Sequence, residues 1–296
     1  VTDANSGVLV VDKPTGMSSH AVVARVRRAT GIRKVGHAGT LDPMATGVLV
    51  LGLGRGTRLL HFLVGADKAY DATIRLGVTT ATDDADGQAQ QRCDARGLTE
   101  GEIGAAAERL TGEISQVPSA VSAIKVDGRR AYARVRAGED VELEPRQVLV
   151  ASFDVHRVRP AHDEPAAVDV DVSVACSSGT YVRALARDMG AALGVGGHLT
   201  SLRRTRVGPF VLADAHAMDA LDDGVMAAAI PLGEAACRFL PSRVLSKDEA
   251  AQVRHGVAPR PSGAPGAVAL VDNSTGLLAV AEDVGPRACL RAVFVG

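Results

Sequence analysis

The chain has 296 residues, 33 Lys+Arg against 34 Asp+Glu, a formal net charge of -1 at pH 7 and 46% hydrophobic residues. These values exclude a disordered or collagen-like chain, and a near-neutral sum leaves the question of a nucleic-acid partner to the distribution of charge. Aromatic residues make up only 3%, with no Trp, so the core must be Val, Leu, Ile and Ala and each of the few Tyr carries more information than usual.

Residues 7–11 read as a short strand entering the loop Asp12-Lys13-Pro14-Thr15-Gly16. Ser18 and Ser19 are candidate caps for a helix with Val22, Val26 and Ala29 on one face and Gly31 at its left-handed end. The opposite face is basic: residues 1–36 hold six Lys/Arg (Lys13, Arg25, Arg27, Arg28, Arg33, Lys34) against Asp3 and Asp12. A buried strand is expected at 46–53 and an alternating one at 70–76. Thr99 with Glu102 forms a capping box for a helix through Leu110, ended by Gly112. Val168, Val170, Val172 and Val174 alternate with Asp169, Asp171 and Ser173 as a half-buried strand, which leads through Ser177-Ser178-Gly179 into a helix over about 180–193. Strands and helices with long irregular excursions imply a mixed α/β or α+β domain. After a reset around 231–245, short strands at 268–271, 277–281 and 289–295 suggest a small β-rich C-terminal domain, with 259–266 as a candidate flexible segment. Asn273-Ser274-Thr275 is read as a turn rather than a glycosylation site.

Several chemistries are set aside. Cys93, Cys176, Cys237 and Cys289 are far apart, and no CxxC or HxxxH spacing occurs, so neither a disulfide framework nor a metal site is expected. No secretory pattern opens the chain and its longest apolar runs fall far short of the ~20 residues that span a bilayer, so a soluble cytoplasmic protein without a membrane partner is expected. Gly52-Leu53-Gly54-Arg55-Gly56-Thr57 lacks both the third glycine and the following acid of a dinucleotide loop. Asp83-Asp84-Ala85-Asp86-Gly87 lacks the carboxylate that completes an EF-hand loop and is read as a solvated acidic turn.

The informative stretch runs from Gly36 to Leu49, where three glycines, a Pro directly after Asp42 and His37 five residues before it describe a tight loop feeding a buried strand. The residues alone leave two readings of Asp42 open, a functional carboxylate at a mouth or the cap of a turn.

Gly36-His37-Ala38-Gly39-Thr40-Leu41-Asp42-Pro43, preceded by Asp12-Lys13-Pro14-Thr15-Gly16 and followed by Ser178-Gly179-Thr180-Tyr181-Val182-Arg183, resembles the TruB-type tRNA pseudouridine synthases. Further similarity lies at 67–70, 82–87, 116–125 and 202–204, in order over most of residues 7–207. The last sixty or so residues resemble the family's PUA-like domain only in length and strand content. The resemblance implies the α+β pseudouridine synthase fold, a largely antiparallel mixed sheet flanked by helices. It further implies a catalytic domain over 1–236 with an RNA-binding thumb insertion at about 125–147, and a PUA-like RNA-binding domain over 237–296.

The activity so implied is isomerisation of the uridine at position 55 in the T loop of tRNA, on a base flipped out of its stack. Asp42 matches the catalytic aspartate, Arg183 the arginine that pairs with it, Tyr70 the tyrosine beside the target ring and Tyr181 an adjacent tyrosine. His37 matches a histidine that holds the flipped loop, and Leu202 an apolar wall of the uracil pocket. The reaction breaks one glycosidic bond and makes another without redox change, so no cofactor is expected. Whether Asp42 attacks C6, attacks C1′ or deprotonates C2′ stays open. RNA contacts are expected from Lys13, Lys125, Arg129, Arg130, Arg203 and Arg204, and from Arg58, where the family often has Lys. The expected partner is the tRNA T stem-loop, with no guide RNA or obligate protein partner and a monomeric state. A tRNA-binding or folding chaperone without chemistry is the alternative.

Overall fold

The computed structural model describes residues 5–119, 125–126, 129–130, 143–221, 224–272 and 276–295. The chain divides into two units, one formed by residues 1–65 with 206–296 and the other by residues 66–205.

In the first unit β1 (Gly7–Lys13), β2 (Val35–His37) and β3 (Thr46–Leu53) follow one another, with α1 (Ser19–Thr30) after β1 and α2 (Gly56–Leu63) after β3. β1 runs antiparallel to β3 from Gly7 opposite Leu53 to Lys13 opposite Gly47, and β2 pairs with the second half of β3. Val48, Leu49, Val50 and Leu51 are fully buried, as a continuous apolar run requires when both faces are covered. Each fully buried Leu contributes about 1.5–3 kcal/mol.

Ser18 caps α1 by accepting the Ala21 N–H at 3.1 Å, and Gly31 ends it at φ 69. Its buried stripe is Ser19, Val22, Val23 and Val26, whereas Ala29 is exposed. Val22 and Val26 are thus buried as expected, with Ser19 and Val23 added and Ala29 left out. The three alternate glycines rejected as a dinucleotide loop have a packing role. A Cβ at Gly52 would lie 2.5 Å from the Gly56 carbonyl oxygen, and one at Gly56 2.2 Å from that of Gly7. They let the start of α2 rest on the backbones of β1 and β3.

The second unit opens with β4 (Lys68–Leu76), β5 (Val78–Thr80) and β6 (Ala89–Arg92), then α3 (Glu100–Arg109) and β7 (Gly112–Gln116). The capping box of Thr99 and Glu102 forms as expected, but α3 ends at Leu110, and Gly112 at φ 92 instead opens β7. The two-residue strands β8 (Lys125–Val126) and β9 (Arg129–Arg130) pair antiparallel. Next come β10 (Arg146–Pro160), β11 (Val168–Cys176), α4 (Val182–Ala192) and β12 (Gly197–Val207). The strand order in this unit is β12-β4-β11-β10-β7, and the pairs from β4 to β7 are antiparallel. β11 departs from simple alternation: Asp169 is buried and receives Arg75 in a two-pronged pair at 2.8 and 3.1 Å.

Back in the first unit, β13 (Phe210–Val211) closes a hairpin with the end of β12, and β14 (His216–Ala217) lies parallel to β1. After α5 (Val225–Ala228) and α6 (Leu232–Phe239), a second sheet holds β15 (Ser242–Val244), β16 (Ala267–Asp272), β17 (Gly276–Val284) and β18 (Arg287–Val293) in that order. The three antiparallel strands match the expectation. β15 and α7 (Lys247–Arg254), capped by Ser246 and Glu249, are additions. Leu245, Val253, Leu270 and Leu278 form the core beneath this sheet. The protein is therefore α+β, with a small C-terminal sheet. Residues 273–275, expected as a turn, lie outside the described residues.

Candidate active site

Asp42 lies half-buried in the first unit, on the loop between β2 and β3. Its neighbours are tied down through their main chain. The Ser19 hydroxyl accepts the Leu41 N–H at 2.8 Å and donates to the Leu41 carbonyl at 3.0 Å. The Pro43 carbonyl accepts the Gly16 N–H at 2.8 Å and the Lys13 ammonium at 3.2 Å, and Thr15 donates to the Met44 carbonyl at 3.3 Å. Lys13 also donates to the carbonyls of Pro14 and Met17 at 2.9 and 2.6 Å. The 12–16 motif is therefore a brace for the Asp42 loop. None of these bonds uses the Asp42 carboxylate.

His37 is half-buried at the end of β2, with its ring edge-on to His20 of α1 at a centroid distance of 5.4 Å. Sequence reasoning passed over His20, although its place in the first turn of a helix that follows the 12–16 loop was a usable signal.

In the second unit, Arg183 sits in the first turn of α4 and is 5% exposed. Its Nη1 donates to the Thr82 carbonyl at 2.9 Å, lies 3.4 Å from the Asp84 carboxylate and reaches the Ser119 hydroxyl at 3.4 Å. Four residues on along the same helix face, Arg187 lies 3.6 Å from Asp83. Asp83 takes a left-handed conformation at φ 59, which short polar side chains tolerate. Burial holds the Asp83 carboxyl above its ordinary value, against the opposing pull of Ser119 and Arg187. The acidic run at 83–87 is thus solvated only in part: Asp86 is exposed, but Asp84 is 4% exposed, because a buried guanidinium needs a buried counter-charge. Among the described residues no cluster could hold a metal ion.

Tyr70 is buried on β4 opposite Val174 of β11, Leu202 is buried on β12, and Tyr181 is half-buried at the N-cap of α4. The Gln116 amide holds Tyr181 by both main-chain groups, donating to its carbonyl at 3.1 Å and accepting its N–H at 2.8 Å. Nothing in its spacing singles Gln116 out, because its partner lies 65 residues away.

The RNA-binding expectations divide. Lys13 and Arg204 are 0% and 1% exposed, which corrects both: a covered cation has no surface to offer a phosphate. Lys13 instead serves the loop brace. The charge of Arg204, after burial itself, helps keep the Lys68 ammonium below its ordinary pKa. Arg203 is half-buried. Arg58 is exposed and donates to the Val293 carbonyl at 2.8 Å. It lines an open cavity of about 430 Å³ with His61, Phe62, Arg291, Ala292 and Val293. Lys125, Arg129 and Arg130 fall on the β8–β9 ladder, with Lys125 opposite Arg130. Most of the expected thumb, 127–128 and 131–142, lies outside the described residues.

Comparison with known proteins adds the following. A family model described as the N-terminal domain of TruB family pseudouridylate synthases matches residues 27–182, and one for the C-terminal domain of tRNA pseudouridylate synthase B matches residues 183–241. The tRNA pseudouridine synthase B of an Arthrobacter species is 58% identical over 251 residues, 85% of this chain and 81% of its own length. That of Thermobifida fusca is 53% identical over 292 residues, 98% of this chain and 99% of its own. Among solved structures, a chain of a Cbf5-Nop10-Gar1 complex aligns with a TM-score of 0.76 at 27% identity, covering 99% of this chain and 86% of that one.

Proposed function

The chain belongs to the TruB family of pseudouridylate synthases, and from that premise we propose that it isomerises the uridine at position 55 in the T loop of tRNA with Asp42 as nucleophile. It is a tRNA-modifying isomerase, as its relatives are. The observation that carries the finer reading is the Asp42 loop, fastened at Leu41, Pro43 and Met44 by Ser19, Gly16, Lys13 and Thr15. Preorganisation of this kind is what a carboxylate needs if it is to meet one carbon of a sugar or ring.

The family resemblance assigns Arg183 the part of the arginine that pairs with the catalytic aspartate, and such a charge favours ionisation where burial opposes it. Asp84 and Thr82 hold Arg183 ready. Extrusion of the uridine from the stacked loop leaves its ring in need of apolar and aromatic walls, which Tyr70 and Leu202 offer. Arg58, Lys125, Arg129, Arg130 and Arg203 give phosphate contacts to the T stem, and the chain over 237–296 adds a second, PUA-like RNA-binding module. The bacterial relatives are full-length matches named as single proteins, which supports action without a guide RNA or obligate partner.

The test is tritium release from tRNA carrying [5-³H]uridine, with pseudouridine mapped by position, for wild type and Asp42→Asn. Release confined to the T-loop uridine and abolished in the variant, with tRNA binding kept, is the expected result. Turnover by Asp42→Asn would remove it as the nucleophile.

A further inference from the structure

Gln116 ends β7, its side chain 1% exposed. Its amide pairs with the Tyr181 main chain as one peptide group pairs with another, one donor and one acceptor used at 3.1 and 2.8 Å. Tyr181 is the N-cap of α4 and makes no side-chain cap bond of its own. One side chain therefore fixes the turn from which Tyr181 and, two residues on, Arg183 project. The residues after Gln116 extend the same attachment: the Val117 carbonyl accepts from Arg187 at 2.7 Å, and Ser119 donates to the Thr82 carbonyl at 3.2 Å.

Only a neutral group with a donor and an acceptor on one carbon can make this pair at this length. Asn is a methylene shorter, and an ionised Glu offers acceptors alone. We propose that Gln116 is a positioning residue for the isomerisation, orienting the Tyr181–Arg183 turn and acting on the chemical step rather than on RNA affinity. This rests on the assignment of Tyr181 and Arg183 to the active site.

The experiment measures single-turnover pseudouridine formation on tRNA, with tRNA affinity alongside, for wild type, Gln116→Glu and Gln116→Met. A protonated Glu carboxyl restores one O–H donor and one C=O acceptor in place of the amide, whereas the carboxylate opposes the Tyr181 carbonyl. The ratio of the Gln116→Glu rate to the wild-type rate is thus expected to rise about tenfold from about pH 8.5 to about pH 6, with tRNA affinity within about twofold. Dividing by wild type cancels the pH dependence that the two enzymes share. Gln116→Met is expected to be slow at every pH. A ratio indifferent to pH, a folded Gln116→Met enzyme with the wild-type rate, or a defect carried wholly in tRNA affinity overturns the proposal. Absence of pseudouridine with wild type overturns the proposed function as well, so the two failures are distinguishable.

Discussion

The loop that presents Asp42 is braced through its main chain, by a serine hydroxyl, a lysine ammonium and a glycine N–H, whereas Arg183 is braced through its side chain, by a buried carboxylate, a carbonyl and a hydroxyl. In the first arrangement several neutral or charge-assisted bonds share the work of holding the loop. In the second, a charge has been taken out of water and its counter-charge is obligatory. The two regions should accordingly fail differently when a single partner is removed.

The largest effect is expected at Asp84. Asp84→Ala removes the carboxylate that lies 3.4 Å from the nearly covered Arg183, at an expected cost of about 3–5 kcal/mol in urea unfolding. Pseudouridine formation should fall with it, since the guanidinium loses its orientation. A stability within about 0.5 kcal/mol of wild type would show that the pair is incidental.

Ser19→Ala cuts both bonds to Leu41 and is expected to cost about 1–3 kcal/mol, less than Asp84→Ala, because two main-chain groups rather than a charge are left unsatisfied. The Asp42 loop loosens while its carboxylate remains, so the single-turnover rate should drop with tRNA affinity kept. Equal losses from the two substitutions, measured by urea titration, would erase the distinction between the two kinds of brace.

The smallest effect is a slope. His198 is buried on β12 and its Nδ1 lies 2.8 Å from the Val78 carbonyl; burial, chiefly, holds its pKa below 6.5. The unfolded chain therefore takes up a proton, as pH falls below 6.5, that the native state declines. The stability present above that value is lost as pH drops towards the folded pKa, at no more than about 1.4 kcal/mol per pH unit. Between about pH 5 and 7.5 the urea midpoint of wild type should fall as pH drops, and that of His198→Asn, which lacks the imidazole, should fall less steeply.

Local signals were sufficient wherever a feature is closed within a few residues. Ser18 and Gly31 delimit α1, Thr99 and Glu102 open α3, and the apolar run 46–53 becomes β3 with the expected ends. The Asp42 loop motif was equally legible, and so was its family. The residues that hold the site were less so. Asp84 looked like a member of a wet acidic run, because nothing near it in the chain announces that Arg183, 99 positions on, will need it. Gln116 was one letter in a matching stretch, and Lys13 and Arg204 were counted as surface cations although both are covered.

By itself, the sequence determined the fold class, the family and the location of the loop carrying Asp42, since helix caps, strand periodicity and a glycine-rich turn are short-range properties of the chain. Only the tertiary structure decided which charges are buried and what holds them: Asp84 against Arg183, Asp169 against Arg75, Lys13 against three carbonyls. The physical reason is that desolvation is a property of everything packed around a group, and its neighbours are drawn from segments that the chain order keeps far apart.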